Sequence, residues 1–234
     1  NRFSENDHLI VCISWTYGSG GVNIGFKLAD KLKINFYDAE IFEAVLKRLE
    51  AQKDSIQDSV SYGIKPGIKK EPAHDQDANV NPSEAFIPER HLTLRQRMRE
   101  FSRFHGLPKR DAVFFNESDL LVDMAKKEDF VILGRCGDAI MANNNIPHIS
   151  IYITAPFEQR IKRAMEIDSS LTVKQARHML KHLDHVHSQY YHYYTNRNWG
   201  HSNNYDLCIN SASYGIDGTV DFIYRMITAR EEDK

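Results

Sequence analysis

Hydrophobic and polar positions fall in blocks along this chain, and the blocks predict alternating strands and helices. Leu9-Ile10-Val11-Cys12-Ile13 is a continuous apolar run, the pattern of a parallel strand covered on both faces. Ile24, Leu28 and Leu32 then recur at helical spacing with Lys27, Asp30, Lys31 and Lys33 between them, which predicts an amphipathic helix. Ile34-Asn35-Phe36-Tyr37 predicts a second strand, and Asp38 stands where it can cap a helix over 41–49. Further strands are predicted at 130–133, 148–153 and 207–210. Helices are predicted at 119–127, at 156–167 (Pro156 suits a first turn), from Thr172 towards Tyr194, and at 216–229. This order predicts an α/β three-layer sandwich, a parallel sheet between helices, with ligands at the carboxyl ends of the strands.

Residues 54–112 break the pattern. Pro66, Pro72 and Pro82 lie among polar residues without a period, and Arg95, Arg97, Arg99 and Arg103 mark a basic stretch. The expected organisation is a single domain with a core of 1–53 and 113–234. The 54–112 insert is expected to lie over the site as a flap.

Composition narrows the partners. The chain has 234 residues, 41% hydrophobic and 26% charged, with a formal net charge of -2 and a pI near 6.6. No global positive field is present to hold nucleic acid, and the acidic Glu100 interrupts the one arginine-rich stretch. No apolar run is long enough to cross a bilayer, so no membrane partner is expected. Cys12, Cys136 and Cys208 form no C-x-x-C pair, and Cys12 and Cys208 sit in apolar runs. Both are expected in the core, and a reducing, cytoplasmic setting follows. The chain starts at Asn1 rather than a methionine, so an upstream piece is expected.

The chemistry begins at Gly18-Ser19-Gly20-Gly21, between the first strand and the first helix. Backbone N–H groups of such a turn converge with the helix N-terminus to make an anion site, and glycine permits the close approach. A tight turn with no ligand is the plainer reading. The pattern is not G-x-x-x-x-G-K-[ST]: the lysine place holds Gly21 or Val22, and the hydroxyl place holds Val22 or Asn23.

An ordered series of motifs accompanies this turn. It starts at Tyr17 to Gly21 and continues with Phe36-Tyr37-Asp38, Gly134-Arg135-Cys136-Gly137-Asp138, Ala155-Pro156 and Arg160-Ile161. Tyr190-Tyr191, Tyr194-Thr195, Trp199-Gly200, Asn203-Asn204-Tyr205-Asp206-Leu207 and Asn210-Ser211 complete it. Together they resemble the cytidylate kinase-like family of bacterial proteins, within the nucleoside monophosphate kinase (P-loop) fold. The resemblance implies a five-stranded parallel sheet and ATP-dependent phosphorylation of a nucleoside monophosphate, with ATP and Mg²⁺ used. It implies that Gly18 to Gly21, with Val22 and Asn23, hold donor phosphates, and that Asp38 faces the acceptor nucleotide. Arg135 would pair with the acceptor phosphate, and Arg160 and Arg163 would meet phosphate from the lid side. Residues 184–203 would form that lid.

Phosphoryl transfer asks for positioning and positive charge rather than covalent chemistry, and arginine grips phosphate oxygens in pairs. For Arg160 and Arg163, a solvated helix face shared with Glu158 and Glu166 is the plainer alternative. Where the family's lid carries an arginine ahead of the tyrosines, this chain has His187. With His185, it could replace that charge when protonated, near pH 6. A working kinase and a nucleotide-binding module with little catalysis both remain open. His178, His182 and His185 share a helical face, expected as a solvated face rather than a metal site. Tyr190, Tyr191, Tyr193, Tyr194 and Trp199 are expected to pack the lid on the core rather than stack on a base.

Overall fold

The computed structural model describes residues 7–38, 118–134 and 136–232. The 54–112 insert, the helix expected over 41–49 and Arg135 lie outside them. The described elements run β1 (Ile10–Trp15), α1 (Gly21–Leu32), β2 (Asn35–Asp38), α2 (118–125), β3 (Phe130–Leu133) and α3 (Gly137–Asn143). They continue with β4 (Ile149–Thr154), α4 (Phe157–Ile167), α5 (Val173–Thr195), β5 (Leu207–Asn210) and α6 (Ser211–Glu232). Five parallel strands lie in the order β2-β3-β1-β4-β5.

β1 is buried along its whole length because both of its faces are covered. Val11, Ile13 and Trp15 join Ile24 and Leu28 of α1 and Ile223 and Ile227 of α6 in one core. Ile10 and Cys12 point the other way, into a second core with Leu121 and Ala125 of α2 and Ile140 and Met141 of α3. The two-residue period of a strand places alternate side chains in opposite layers, which yields the three-layer sandwich.

β5 lies at the sheet edge and follows a different rule. Its exposure alternates, with Ile209 buried and Cys208 exposed, so the core place expected for Cys208 is corrected. Only one face of this edge strand is covered, and Cys208 is on the other. Cys12, in the central strand, is buried.

α5 begins with a capping box. The Thr172 hydroxyl accepts the Gln175 N–H, and the Gln175 side chain accepts the Thr172 N–H, so two helix-end donors are satisfied at once. The helix then runs unbroken to Thr195 and carries the first part of the expected lid segment. α6 breaks at Gly215, where φ is 70 and ψ is 177. Among the described residues, no helix is long and apolar enough to cross a membrane.

Candidate functional site

Two turns meet at the carboxyl ends of the central strands. The chain leaves β1 through Thr16, whose N–H donates to Ile153 O of β4 (3.0 Å), while Gly134 N–H, leaving β3, donates to Ile13 O (2.9 Å). These bonds seat the 16–20 turn beside the turn that opens α3.

The turn itself needs its glycines. Gly18 and Gly20 have φ values of 80 and 82, a region that disfavours side chains. A Cβ on Gly18 would come within 2.8 Å of the Arg160 carbonyl oxygen, and one on Gly21 would enter the Trp15 ring. Between them Ser19 is fully buried: its hydroxyl donates to Ile153 O (3.3 Å), and its carbonyl accepts the Ser211 hydroxyl (2.6 Å). α1 then starts at Gly21 with Gly20 as N-cap, no side-chain cap and no acidic residue in its first turn. Its leading N–H groups and dipole are therefore available to an anion. Val22 and Asn23 are exposed on that first turn.

The two arginines of α4 have different surroundings. Arg160 is 3% exposed, and its Nη1 and Nη2 donate to the Asp184 carboxylate of α5 at 2.9 and 2.6 Å. Asp184 also accepts the backbone N–H of Tyr17. Burial pushes the Asp184 carboxyl above its ordinary value, opposed by Arg160, by His187 and by that N–H. Arg163, one turn further along, has no such pair among the described residues. Its guanidinium lies against Gly20, so that a Cβ there would strike it and Ile216 together. Both arginines are thus drawn to the turn, Arg160 as part of a buried pair under Gly18 and Arg163 as a cation over Gly20.

His187 projects from α5 into an aromatic slot. Its ring stands edge-on to Trp15 (centroids 6.1 Å apart) and to Trp199 (5.7 Å). His187 is therefore held close to the end of β1 and the first turn of α1. His185, two residues earlier, is exposed. Asp38 closes β2 opposite Leu133, at the carboxyl edge. Arg135 falls between Gly134 and Cys136, both in positive-φ turn geometry, though it lies outside the described residues.

Behind α5 sits a buried polar cluster. The Tyr191 hydroxyl donates to Asp138 Oδ2 (2.7 Å), and Asp138, 3% exposed, leaves Oδ1 without a partner among the described residues. Burial raises the Asp138 carboxyl above its ordinary value. Burial also raises Tyr191 and Tyr152, and pushes Tyr205 up to about 12. Tyr190, Tyr194 and Trp199 pack around Cys136, Ala139 and Tyr191, so these aromatics serve packing. Among the described residues, no three His, Cys, Asp or Glu side chains converge in a metal-binding group.

The sequence reading gave Trp15 and Asp184 no chemical role and carried Asp138 and Ser211 only as members of the motif series. Trp15 offered a faint signal, a bulky aromatic as the last strand residue before a glycine turn. Asp184 offered none, because its partner lies on another helix.

This sheet order, with a glycine turn after β1 leading into α1, is the architecture of the P-loop kinases. The chain belongs to the cytidylate kinase-like family, whose model matches residues 10–213. The solved structure of an uncharacterized protein from Eubacterium ventriosum is similar, with 22% identity over 94% of this chain and 99% of that one and a TM-score of 0.63. Shikimate kinase from Bacteroides thetaiotaomicron is more distant, at 11% identity, 94% and 98% coverage and a TM-score of 0.49. The tunicamycin resistance protein of Deinococcus radiodurans stands at 12% identity, 94% and 95% coverage and 0.48. No curated protein matches the chain.

Proposed function

We propose that this protein binds a nucleoside triphosphate at the 18–23 turn and transfers its γ-phosphoryl group to a nucleoside monophosphate, with a cytidine-type acceptor the first choice. The observation that carries the reading is the Arg163 guanidinium over Gly20, at an uncapped helix N-terminus. It brings to the turn the positive charge that a P-loop lysine would supply. Family membership supports the same chemistry.

In this reading the leading N–H groups of α1, with Val22 and Asn23 beside them, hold the donor phosphates. Arg163 neutralises charge that builds on the transferring group. An acceptor phosphate oxygen forms the new P–O bond as the β–γ bridging P–O bond breaks, and the diphosphate leaves. Asp38 and Arg135, at the ends of β2 and β3, face the acceptor, and His187 approaches the phosphates from the lid side. The hydroxyls nearest the turn are engaged elsewhere: Ser19 is buried on a carbonyl, and the Thr16 hydroxyl is bonded to Thr154. The nucleotide's own phosphates and water would hold Mg²⁺.

Incubation with labelled ATP and a panel of nucleoside monophosphates tests the reading. Transfer to a pyrimidine monophosphate is expected. The neutral Val22 and Asn23 favour the second reading, a binding module. ATP binding without transfer, beside a control kinase that turns over, would leave that one standing.

A further inference from the structure

Arg160 and Asp184 sit where three segments touch. Arg160 lies on α4, Asp184 on the lid helix α5, and Tyr17 and Gly18 open the glycine turn. The guanidinium makes three hydrogen bonds to the carboxylate, between 2.6 and 3.2 Å. The same carboxylate takes the Tyr17 N–H, and the Gly18 backbone packs against the Arg160 carbonyl. Arg160 is nearly inaccessible, and Asp184 keeps 28% of its side-chain exposure.

We infer that the Arg160–Asp184 pair is a positioning device that fixes the first residues of the glycine turn to the lid helix. This inference rests on the turn being the donor-phosphate site. A buried ion pair stabilises a fold little better than well-packed apolar groups do, so stability alone gives weak reason for it. What an apolar pair could not supply is the acceptor oxygen for Tyr17 N–H, together with a second link to a neighbouring helix. A movement of α5 displaces Asp184, and Asp184 takes the start of the turn with it. The turn is thereby shaped for phosphate when the lid helix is seated. The Arg160 guanidinium is engaged by Asp184, and the cation offered to phosphate is Arg163.

The test follows hydrogen exchange at residues 16–22 in the unliganded full chain, beside thermal unfolding and binding of inorganic tripolyphosphate. Asp184→Asn is expected to speed exchange in the turn and weaken tripolyphosphate binding, each by about tenfold, with exchange in β3 unchanged. The double variant R160M/D184L replaces the pair with apolar groups. It is expected to recover the melting temperature while the turn stays fast and the binding weak. Asp184→Glu, which retains the carboxylate, is expected to fall between wild type and Asp184→Asn. A double variant of wild-type stability whose turn exchanges and binds like wild type would overturn the proposal. Should the double variant not fold, an Asp184→Asn turn as protected as wild type does the same. Exchange in the unliganded protein is independent of what the turn binds. Wild-type protein that ignores tripolyphosphate therefore counts against the donor site and not against the clamp.

Discussion

The guanidinium of Arg163 lies against the backbone of Gly20, where the turn after β1 passes into α1. A cation from the neighbouring α4 therefore stands at an uncapped helix N-terminus. Removing it with Arg163→Ala is expected to lower kcat/KM for transfer by about a hundredfold and to weaken donor binding in parallel. Arg163→Lys should recover part of this, since lysine keeps the charge but not the planar fork. Steady-state kinetics and calorimetry with a nucleoside triphosphate read both quantities.

Gly20 is constrained by conformation and by space. At φ 82, with Arg163 and Ile216 where a Cβ would go, Gly20→Ala is expected to cost about 1–3 kcal/mol of stability. It should also displace the Arg163 guanidinium. Urea denaturation measures the first effect. Donor affinity lost beyond that of a surface control variant such as Lys174→Ala reports the second.

His187 stands edge-on between Trp15 and Trp199. An arginine there can stack on the same indoles and carries its charge at every working pH. His187→Arg is expected to tighten triphosphate binding by about tenfold at neutral pH. Unchanged or weaker binding in a calorimetric titration would remove His187 from the phosphate site.

Asp138 ties stability to pH. Its folded-state carboxyl is raised by burial, so the folded state holds the proton more tightly than the unfolded chain does. Stability from this group is fully present below the ordinary carboxylate value and is lost as pH rises through the folded one. Asp138→Asn removes the ionisation and should flatten that loss. The difference in unfolding free energy between variant and wild type is expected to grow in the variant's favour from about pH 4 to about pH 7. A difference that stays constant across that range would contradict the assignment.

Much of the fold was legible from the chain because the three inner strands are compact, mostly apolar runs. The limits predicted for β3 and β5 coincide with the observed ones. α3 was missed: it is seven residues long, enters from Cys136 in a left-handed conformation and has no side-chain cap, so neither period nor cap marks it. The misplacement of Cys208 has a similar root. An apolar run does not say whether its strand is central or at an edge, and only the neighbours decide. In the site, the glycine turn could be read locally because its chemistry is backbone chemistry. The division of labour between Arg160 and Arg163 could not, since it depends on Asp184 and Gly20 approaching from other segments.

The seat of the glycine turn has a consequence for the order in which the protein is made. Ser19 is held by Ser211, 192 positions later, and β1 pairs with strands that are synthesised well after it. Non-local pairings of this kind form late, after long loops have closed. A nascent chain arrested before β5 therefore carries every glycine of the turn without the hydroxyl that fastens it. A motif made well before β5 becomes one of the last to be finished, and until then the unpaired edges of β1 are exposed to other chains and to chaperones.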